Sequence, residues 1–256
     1  MKPNLHKQII EALKDQKEIF GDELLEPVEL KRKTVTEPKQ ARAAKVKEPP
    51  IEFSKDTTTS TTANHPKEEW ENSSSLDELN KLISSCTKCG LAAGRNKLVF
   101  GVGNPNADVL VIGEGPGADE DKQGEPFVGR AGQLLTDILK AINFAREEIY
   151  IANIVKCRPP GNRTPFPDEM ETCLPYLRKQ VAFIKPKVIL CLGLTAAKGL
   201  LNLKDSLGNL RGKVYKFEDA QVMVTYHPAA LLRNPNWKRP AWEDVKQFRK
   251  LYDDLS

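Results

Sequence analysis

From Ser75 onward the chain alternates short apolar runs with longer stretches whose apolar residues recur every three or four positions. The short runs are ADVLVIG (107–113), EIYIANIV (148–155), KVILCLGL (187–194), KVYKF (213–217) and QVMVTYHP (221–228). Their length and β-branched content predict strands, and continuous apolar character predicts strands covered on both faces. Between them, GRAGQLLTDILKAI (129–142), PDEMETCLPYLRKQVAFI (167–184), TAAKGLL (195–201) and a C-terminal segment through AWEDVKQFRKLY carry helical spacing. Ser75-Leu-Asp-Glu78 reads as a capping box opening a helix toward Cys86. The alternation predicts an α/β protein: a three-layer α/β/α sandwich with a mainly parallel central sheet. In such sheets ligands sit at the carboxyl ends of strands. Three segments fall at that edge: the loop after the 107–113 strand, Asn153 after IYIA, and His227 after QVMVTY. One cleft shared by all three is the expectation.

The pattern fails ahead of Ser75. Residues 34–75 are rich in Thr, Ser, Lys, Glu and Pro and have few apolar side chains to offset the entropy of ordering, which predicts a disordered linker. Within 1–33, Leu5, Ile9, Ile10 and Leu13 share one helical face, a short amphipathic helix suited to docking on a protein partner. The folded domain is therefore expected over 76–256. No apolar run approaches the ~20 residues of a membrane span. The first residues, MKPNLHKQII, lack the pattern of a secretory signal. The expectation is a soluble, cytoplasmic monomer. Net charge is +4, unevenly placed: residues 1–75 hold 13 Lys/Arg against 14 Asp/Glu, the remainder 26 against 21. A modestly basic folded part is compatible with a polyanionic partner.

Candidate chemistry lies in the loops. Cys86 and Cys89 form CTKC, and Cys157 and Cys173 follow. A CxxC turn aims two sulfurs at one centre, so the four are open to an iron–sulfur cluster, a zinc site, a redox dithiol or unrelated buried thiols. Cys191, inside VILCLGL, reads as an inert buried thiol. Residues 113–127, GEGPGADEDKQGEPF, formally fit a dinucleotide fingerprint, G-x-G-x-x-G/A. Pro116 has no N–H to give a phosphate, and Asp119, Glu120 and Asp121 stand where a pyrophosphate would approach. No G-K-[ST] follows, which excludes a Walker loop. The composition suits a small neutral ligand with hydrogen-bonding edges. Phe127 can stack a flat ring, and Asn153 can read a donor/acceptor edge. Arg158, Arg163, Arg233, Lys156, Lys238 and Arg239 are candidate phosphate contacts.

Together GEGPGADED (113–121), GEPFVGRAGQLL (124–135), IANIVKCRPPGNRTP (151–165), HPAALLRNP (227–235) and the ordered cysteines resemble the family 4, iron–sulfur uracil-DNA glycosylases. The resemblance covers roughly Leu76 to Leu251. It implies a 4Fe–4S cluster on Cys86, Cys89, Cys157 and Cys173, uracil-containing DNA as partner, and hydrolysis of the uracil–deoxyribose bond to leave an abasic site. It further implies that Glu114 and Gly115 line the O2 side of the base and that Glu120 crowds C5, where thymine carries a methyl. Phe127 would stack the ring, Asn153 would read N3 and O4, and His227 would donate to O2 as charge develops. Glu114 is also the candidate for orienting the attacking water. Two rivals differ in kind: a relative that traps uracil-DNA covalently, disfavoured by Gly115 where such proteins carry Gln, and a non-catalytic iron–sulfur nucleic-acid-binding module.

Overall fold

The computed structural model describes residues 68–255. The helix expected in 1–33 and most of the 34–75 linker lie outside them. The sheet has six strands: β1 (Val102–Gly103), β2 (Val109–Gly113), β3 (Tyr150–Asn153), β4 (Val188–Leu192), β5 (Val214–Phe217) and β6 (Ala220–Thr225). Their spatial order is β1-β3-β2-β4-β6-β5. The central four run parallel, and the edge strands β1 and β5 pair antiparallel. Eight helices connect or cover them: α1 (Leu76–Ile83), α2 (Ala118–Gln123), α3 (Arg130–Ala141), α4 (Pro167–Ile184), α5 (Leu194–Leu201), α6 (Leu207–Leu210), α7 (Pro228–Arg233) and α8 (Lys238–Asp253).

Strand alternation divides the core into two apolar layers. Leu110, Ile112, Ile189, Val222 and Val224 join Leu79, Tyr176, Leu177 and Leu200 from α1, α4 and α5 on one side. Val109, Val111, Val188, Leu190 and Met223 join Leu135, Leu139, Val245 and Phe248 from α3 and α8 on the other. This is the expected three-layer sandwich. None of the described helices is long and apolar enough to cross a membrane.

Local signals set several boundaries. Ser75 Oγ accepts from Glu78 N–H (3.2 Å), while the Glu78 carboxylate takes Ser74 N–H (2.7 Å) rather than that of Ser75. The box therefore closes one residue early. α4 begins with Pro167 at its first position, where the missing N–H costs nothing. KVYKF and QVMVTYHP form a hairpin, with Glu218 at φ 52° in its turn.

Regular structure is present among the described residues ahead of the expected boundary at 76. Glu69–Asn72 forms a 3-10 turn, Ser73 is buried, and Trp70 packs edge-on against Tyr176 of α4 at 4.8 Å. The Trp70 indole supplies apolar area that the surrounding Glu and Ser residues conceal in a compositional reading.

Candidate functional site

β2 and β3 end side by side, with Gly113 opposite Asn153, and the chain passes His227 two residues beyond β6. Here a cleft of about 380 Å³ opens, lined by Glu114, Gly115, Glu120, Phe127, Asn153 and His227, with Arg163 and Arg233 also among its walls. That volume is in the range of small-molecule sites. All six pocket residues expected from the sequence, from four separate segments, thus meet at the carboxyl edge of the sheet.

The glycine at 113 lets Asn153 and Phe127 approach the strand end. A Cβ there would sit 2.4 Å from Asn153 Oδ1 and 2.7 Å from Phe127 Cζ. Asn153 is 2% exposed, and its Oδ1 is a buried acceptor without a partner. Such an atom costs free energy until a donor arrives. Its backbone carbonyl accepts from Lys156 Nζ (3.0 Å), which also donates to Gln180 Oε1 (2.6 Å). Lys156 is only 1% exposed. This corrects the expectation of a phosphate contact: burial pushes the ammonium down to about 8, with Cys173 pulling the other way, and its protons are spent inside.

Phe127 holds a left-handed backbone, φ 56°, a conformation that costs a bulky residue about 1–3 kcal/mol and persists only when surroundings enforce it. The enforcing bonds are visible. Arg146 Nη2 donates to Pro126 O (2.8 Å) and Phe127 O (3.1 Å). Glu120 Oε1 accepts the N–H groups of Val128 and Gly129, both at 3.0 Å, and Oε2 accepts that of Gly117 at 3.1 Å. Gly132 lies so close that an added Cβ would come 1.8 Å from Phe127 O. The ring ends 5.5 Å from that of His227, inclined by 30°.

His227 caps α7. Its Nδ1 accepts the Ala229 N–H (3.2 Å), so the neutral imidazole keeps its proton on Nε2 as a donor. Burial, assisted by the charge of Arg233 and opposed by Glu120, lowers its pKa to about 4. The ring is neutral at physiological pH.

The three acids of the glycine loop have three fates. Asp119 is exposed, Glu120 bridges backbone amides, and Asp121 is fully buried, accepting from Asn96 N–H (2.9 Å) and from the Asn96 side-chain amide. All three sit in the first turn of α2, where negative charge suits the helix dipole.

The cationic candidates divide. Arg233 lines the cleft and is exposed. Arg158 stands outside the lining, with Nε donating to Asn162 Oδ1 at 2.7 Å. Arg163 grips Glu169 with both terminal nitrogens, at 2.8 and 2.7 Å, and holds its carboxyl below the usual carboxylate range. Arg146, Asn96 and Gln180 escaped the sequence reading. Their partners lie 10 to 80 residues away along the chain, and no spacing rule announces them.

A second, narrow cavity is lined by Cys86, Cys89, Cys157 and Cys173 together with Lys88, Arg95, Lys156 and Tyr176. Arg95 Nη1 donates to Cys157 Sγ (3.2 Å) and Lys156 N–H to Cys173 Sγ (3.4 Å). Burial raises the thiol of Cys173 to about 12 and also raises that of Cys157, so deprotonation requires a cationic centre. Among the described residues no three His, Cys, Asp or Glu side chains are spaced to share one metal ion. Cys191 is fully buried and alone in β4.

Residues 100–255 match the family model described as the Uracil DNA glycosylase superfamily. The chain is 45% identical over 185 residues to a type-4 uracil-DNA glycosylase of Archaeoglobus fulgidus, covering 69% of this chain and 93% of that protein. A type-4 uracil-DNA glycosylase of Pyrobaculum aerophilum is 45% identical over 181 residues, 68% of this chain and 92% of its own length. One of Thermotoga maritima is 41% identical over 178 residues, 68% and 93% respectively.

Proposed function

The chain belongs to the uracil DNA glycosylase superfamily and is a DNA-repair glycosylase that excises uracil, and from that premise we propose how its cleft does so. The observation that carries the reading is Asn153 Oδ1, an unpartnered buried acceptor beside an aromatic face and opposite a neutral imidazole donor. Uracil supplies the missing donor at N3–H, and the Asn153 amide N–H₂ meets O4. Phe127 stacks the ring. His227 donates Nε2–H to O2. Glu120, fixed by three backbone amides, presents a carboxylate edge at C5 that leaves no room for a methyl group. A base reaches this depth only after leaving the helical stack.

In the reaction the C1′–N1 bond breaks and its electron pair leaves with the base, so negative charge grows on O2 as the sugar gains oxocarbenium character. A donor aimed where charge develops, in a cleft with little water, stabilises the transition state more than the ground state. A neutral imidazole fills this role with Nε2–H while Nδ1 accepts the Ala229 N–H that holds the ring. Water then bonds to C1′ and gives up a proton, which passes to the departed uracil anion, leaving an abasic site and free neutral uracil. Glu114 and the backbone at Gly115 border the sugar side, and we assign Glu114 the orientation of that water. Arg233 and Arg158 contact phosphates flanking the extruded nucleotide.

We propose that the cysteine cavity holds a 4Fe–4S cluster: its lining supplies four thiols and no carboxylate or imidazole, a donor set such clusters take. Cys86, Cys89, Cys157 and Cys173 would hold it, and Arg95 and the Lys156 amide supply the N–H groups that stabilise thiolate sulfur. Bound there, it supplies a rigid cross-link between the segments that carry these cysteines.

The test is release of free uracil from a U-containing oligonucleotide, with Asn153→Ala as the companion variant. Release by the parent chain and a loss of about 100-fold or more in the variant are expected, since misplacing the base by ~1 Å costs that much. A parent chain that binds the oligonucleotide without releasing uracil, or forms an adduct resistant to heat and SDS, would overturn the hydrolytic reading. A broad visible absorbance band that Cys89→Ser abolishes identifies iron; a colourless protein containing zinc refutes the cluster.

A further inference from the structure

Among the described residues five large apolar side chains are conspicuously exposed, and Phe166 is the most exposed of them at 54%. It stands two residues beyond Thr164, which with Arg163 lines the uracil cleft. Its exposure is not slackness. Pro165 and Pro167 flank it and stiffen the backbone on either side, and its amide N–H is bound by Glu169 Oε2 at 2.7 Å. The Arg163 guanidinium lies against one face of the ring, 3.7 Å from its centroid. That guanidinium is held in turn by two bonds to Glu169, which is 5% exposed. A buried carboxylate fixes the guanidinium, the guanidinium backs the ring, and the other ring face is open to solvent.

We propose that Phe166 is a stacking subsite for an unpaired base adjacent to the excised uracil on the same strand. The proposal rests on the reading of the neighbouring cleft as the uracil site. The chemistry selects the ligand. An open aromatic face backed by a cation takes a flat π-system, and DNA delivers one at this rim when uracil swings into the cleft and its neighbour loses a stacking partner. The geometry also gives Arg163 its task. With both terminal nitrogens engaged by Glu169, it acts through the ring it supports rather than as a phosphate clamp. A base that is already unpaired reaches Phe166 without paying for melting, so the subsite favours single-stranded or mismatched substrate over a paired duplex.

The experiment is a cycle between protein and substrate, using the full-length, cluster-loaded chain. Phe166→Ala, Phe166→Leu and Phe166→Tyr are assayed on single-stranded uracil oligonucleotides. The bases flanking the uracil are either present or replaced, one side at a time, by an abasic spacer. Phe166→Ala is expected to raise KM about tenfold, within the range of one base–aromatic stack, with kcat nearly unchanged. Phe166→Tyr should restore the parent KM and Phe166→Leu should not. For one flanking position the spacer should raise the parent's KM by a similar factor and leave that of Phe166→Ala unmoved. Equal spacer effects in parent and alanine variant, or full rescue by leucine, would overturn the subsite. Melting temperatures of the exposed-site variants should match the parent, which separates stacking from folding. If the parent releases no uracil, the reading of the cleft fails; if it does and the cycle shows no coupling, only the Phe166 subsite fails.

Discussion

His227 makes the sharpest test of the electrostatics. Burial, with the charge of Arg233, moves its pKa from 6.5 to about 4. At pH 6.5 an ordinary histidine is half charged, whereas this one is charged in only about 0.3% of molecules. Protonation turns Nδ1 from acceptor into donor and breaks its bond from the Ala229 N–H, releasing the ring that aims Nε2–H, so excision should run flat from pH 8 to about 5.5 and fall with a midpoint near the folded pKa of about 4. The assay is single-turnover cleavage of a labelled uracil oligonucleotide, compared with His227→Ala. That variant should lose about 10²–10³-fold, the range for one oxyanion-type donor, and should lack the acid limb. A fall in the parent centred near pH 6.5 and missing from the variant would refute the neutral-donor mechanism.

The same shift has a stability consequence. Above pH 6.5 neither state binds the proton, and below it the unfolded chain does while the folded ring waits until about 4. Stability is therefore lost as pH falls through that window. The ceiling is about 3 kcal/mol, trimmed because the ring keeps some contact with cleft water. Urea midpoints of parent and His227→Gln should converge near neutrality and separate in acid, the variant being less sensitive. The chain has only three histidines, so a single imidazole titrating near the predicted value is assignable by its absence from His227→Gln.

Other outcomes follow from the loop geometry. Gly113→Ala places a methyl 2.4 Å from Asn153 Oδ1 and 2.7 Å from Phe127 Cζ; single-turnover excision should fall about 100-fold or more while circular dichroism keeps its native shape. Glu120→Gln keeps the size but weakens acceptors for three amides. It should lower the urea-derived stability by about 1–3 kcal/mol and slow uracil excision, whereas Glu120→Ala, which empties the C5 side, should raise the excision of thymine relative to uracil. Lys156→Met removes the donor to Asn153 O and Gln180 Oε1, each orphaned acceptor costing about 1–3 kcal/mol against relief of the buried charge. A lower melting temperature and slower excision are expected, and restoration of both by an added phosphate-neutralising cation would contradict its interior role.

Much of this architecture is legible in period and punctuation. VLVIG and VILCL announce central strands because both faces of a parallel sheet are covered, and Ser75 and Pro167 mark helix starts by the donors they satisfy or lack. β1 was invisible, since two residues, Val102 and Gly103, make no pattern. Lys156 was misread for a different reason. In VKCRPP it is one basic residue among several, and its burial depends on Gln180, which in turn donates to Phe100 O at 3.0 Å. A contact across 24 and then 80 positions is a property of the packed fold and has no local sequence signature.

The acids that made GEGPGADED an implausible phosphate loop acquire a physical account from these distant partners. Asp121 reaches Asn96, the next residue after Arg95, and Arg95 binds Cys157 Sγ as well as the carbonyls of Cys86 (2.5 Å) and Ser84 (3.1 Å). On the opposite wall, Lys156 binds Cys173 Sγ through its amide and Asn153 O through its ammonium. The glycine loop is thus linked to the cysteine segments through Asn96 and Arg95, and Asn153 through Lys156. Buried carboxylate and ammonium groups tolerate such positions only when fully paired, and their removal one at a time is costly because the partner is left behind. The acids therefore also serve the pocket through the backbone they hold. Asp121 ties its loop to the cysteine side and Glu120 ties it to the amides of Val128 and Gly129 just after Phe127, so the aromatic face is held in place before any base arrives, the preorganisation that the proposed charge stabilisation at O2 requires.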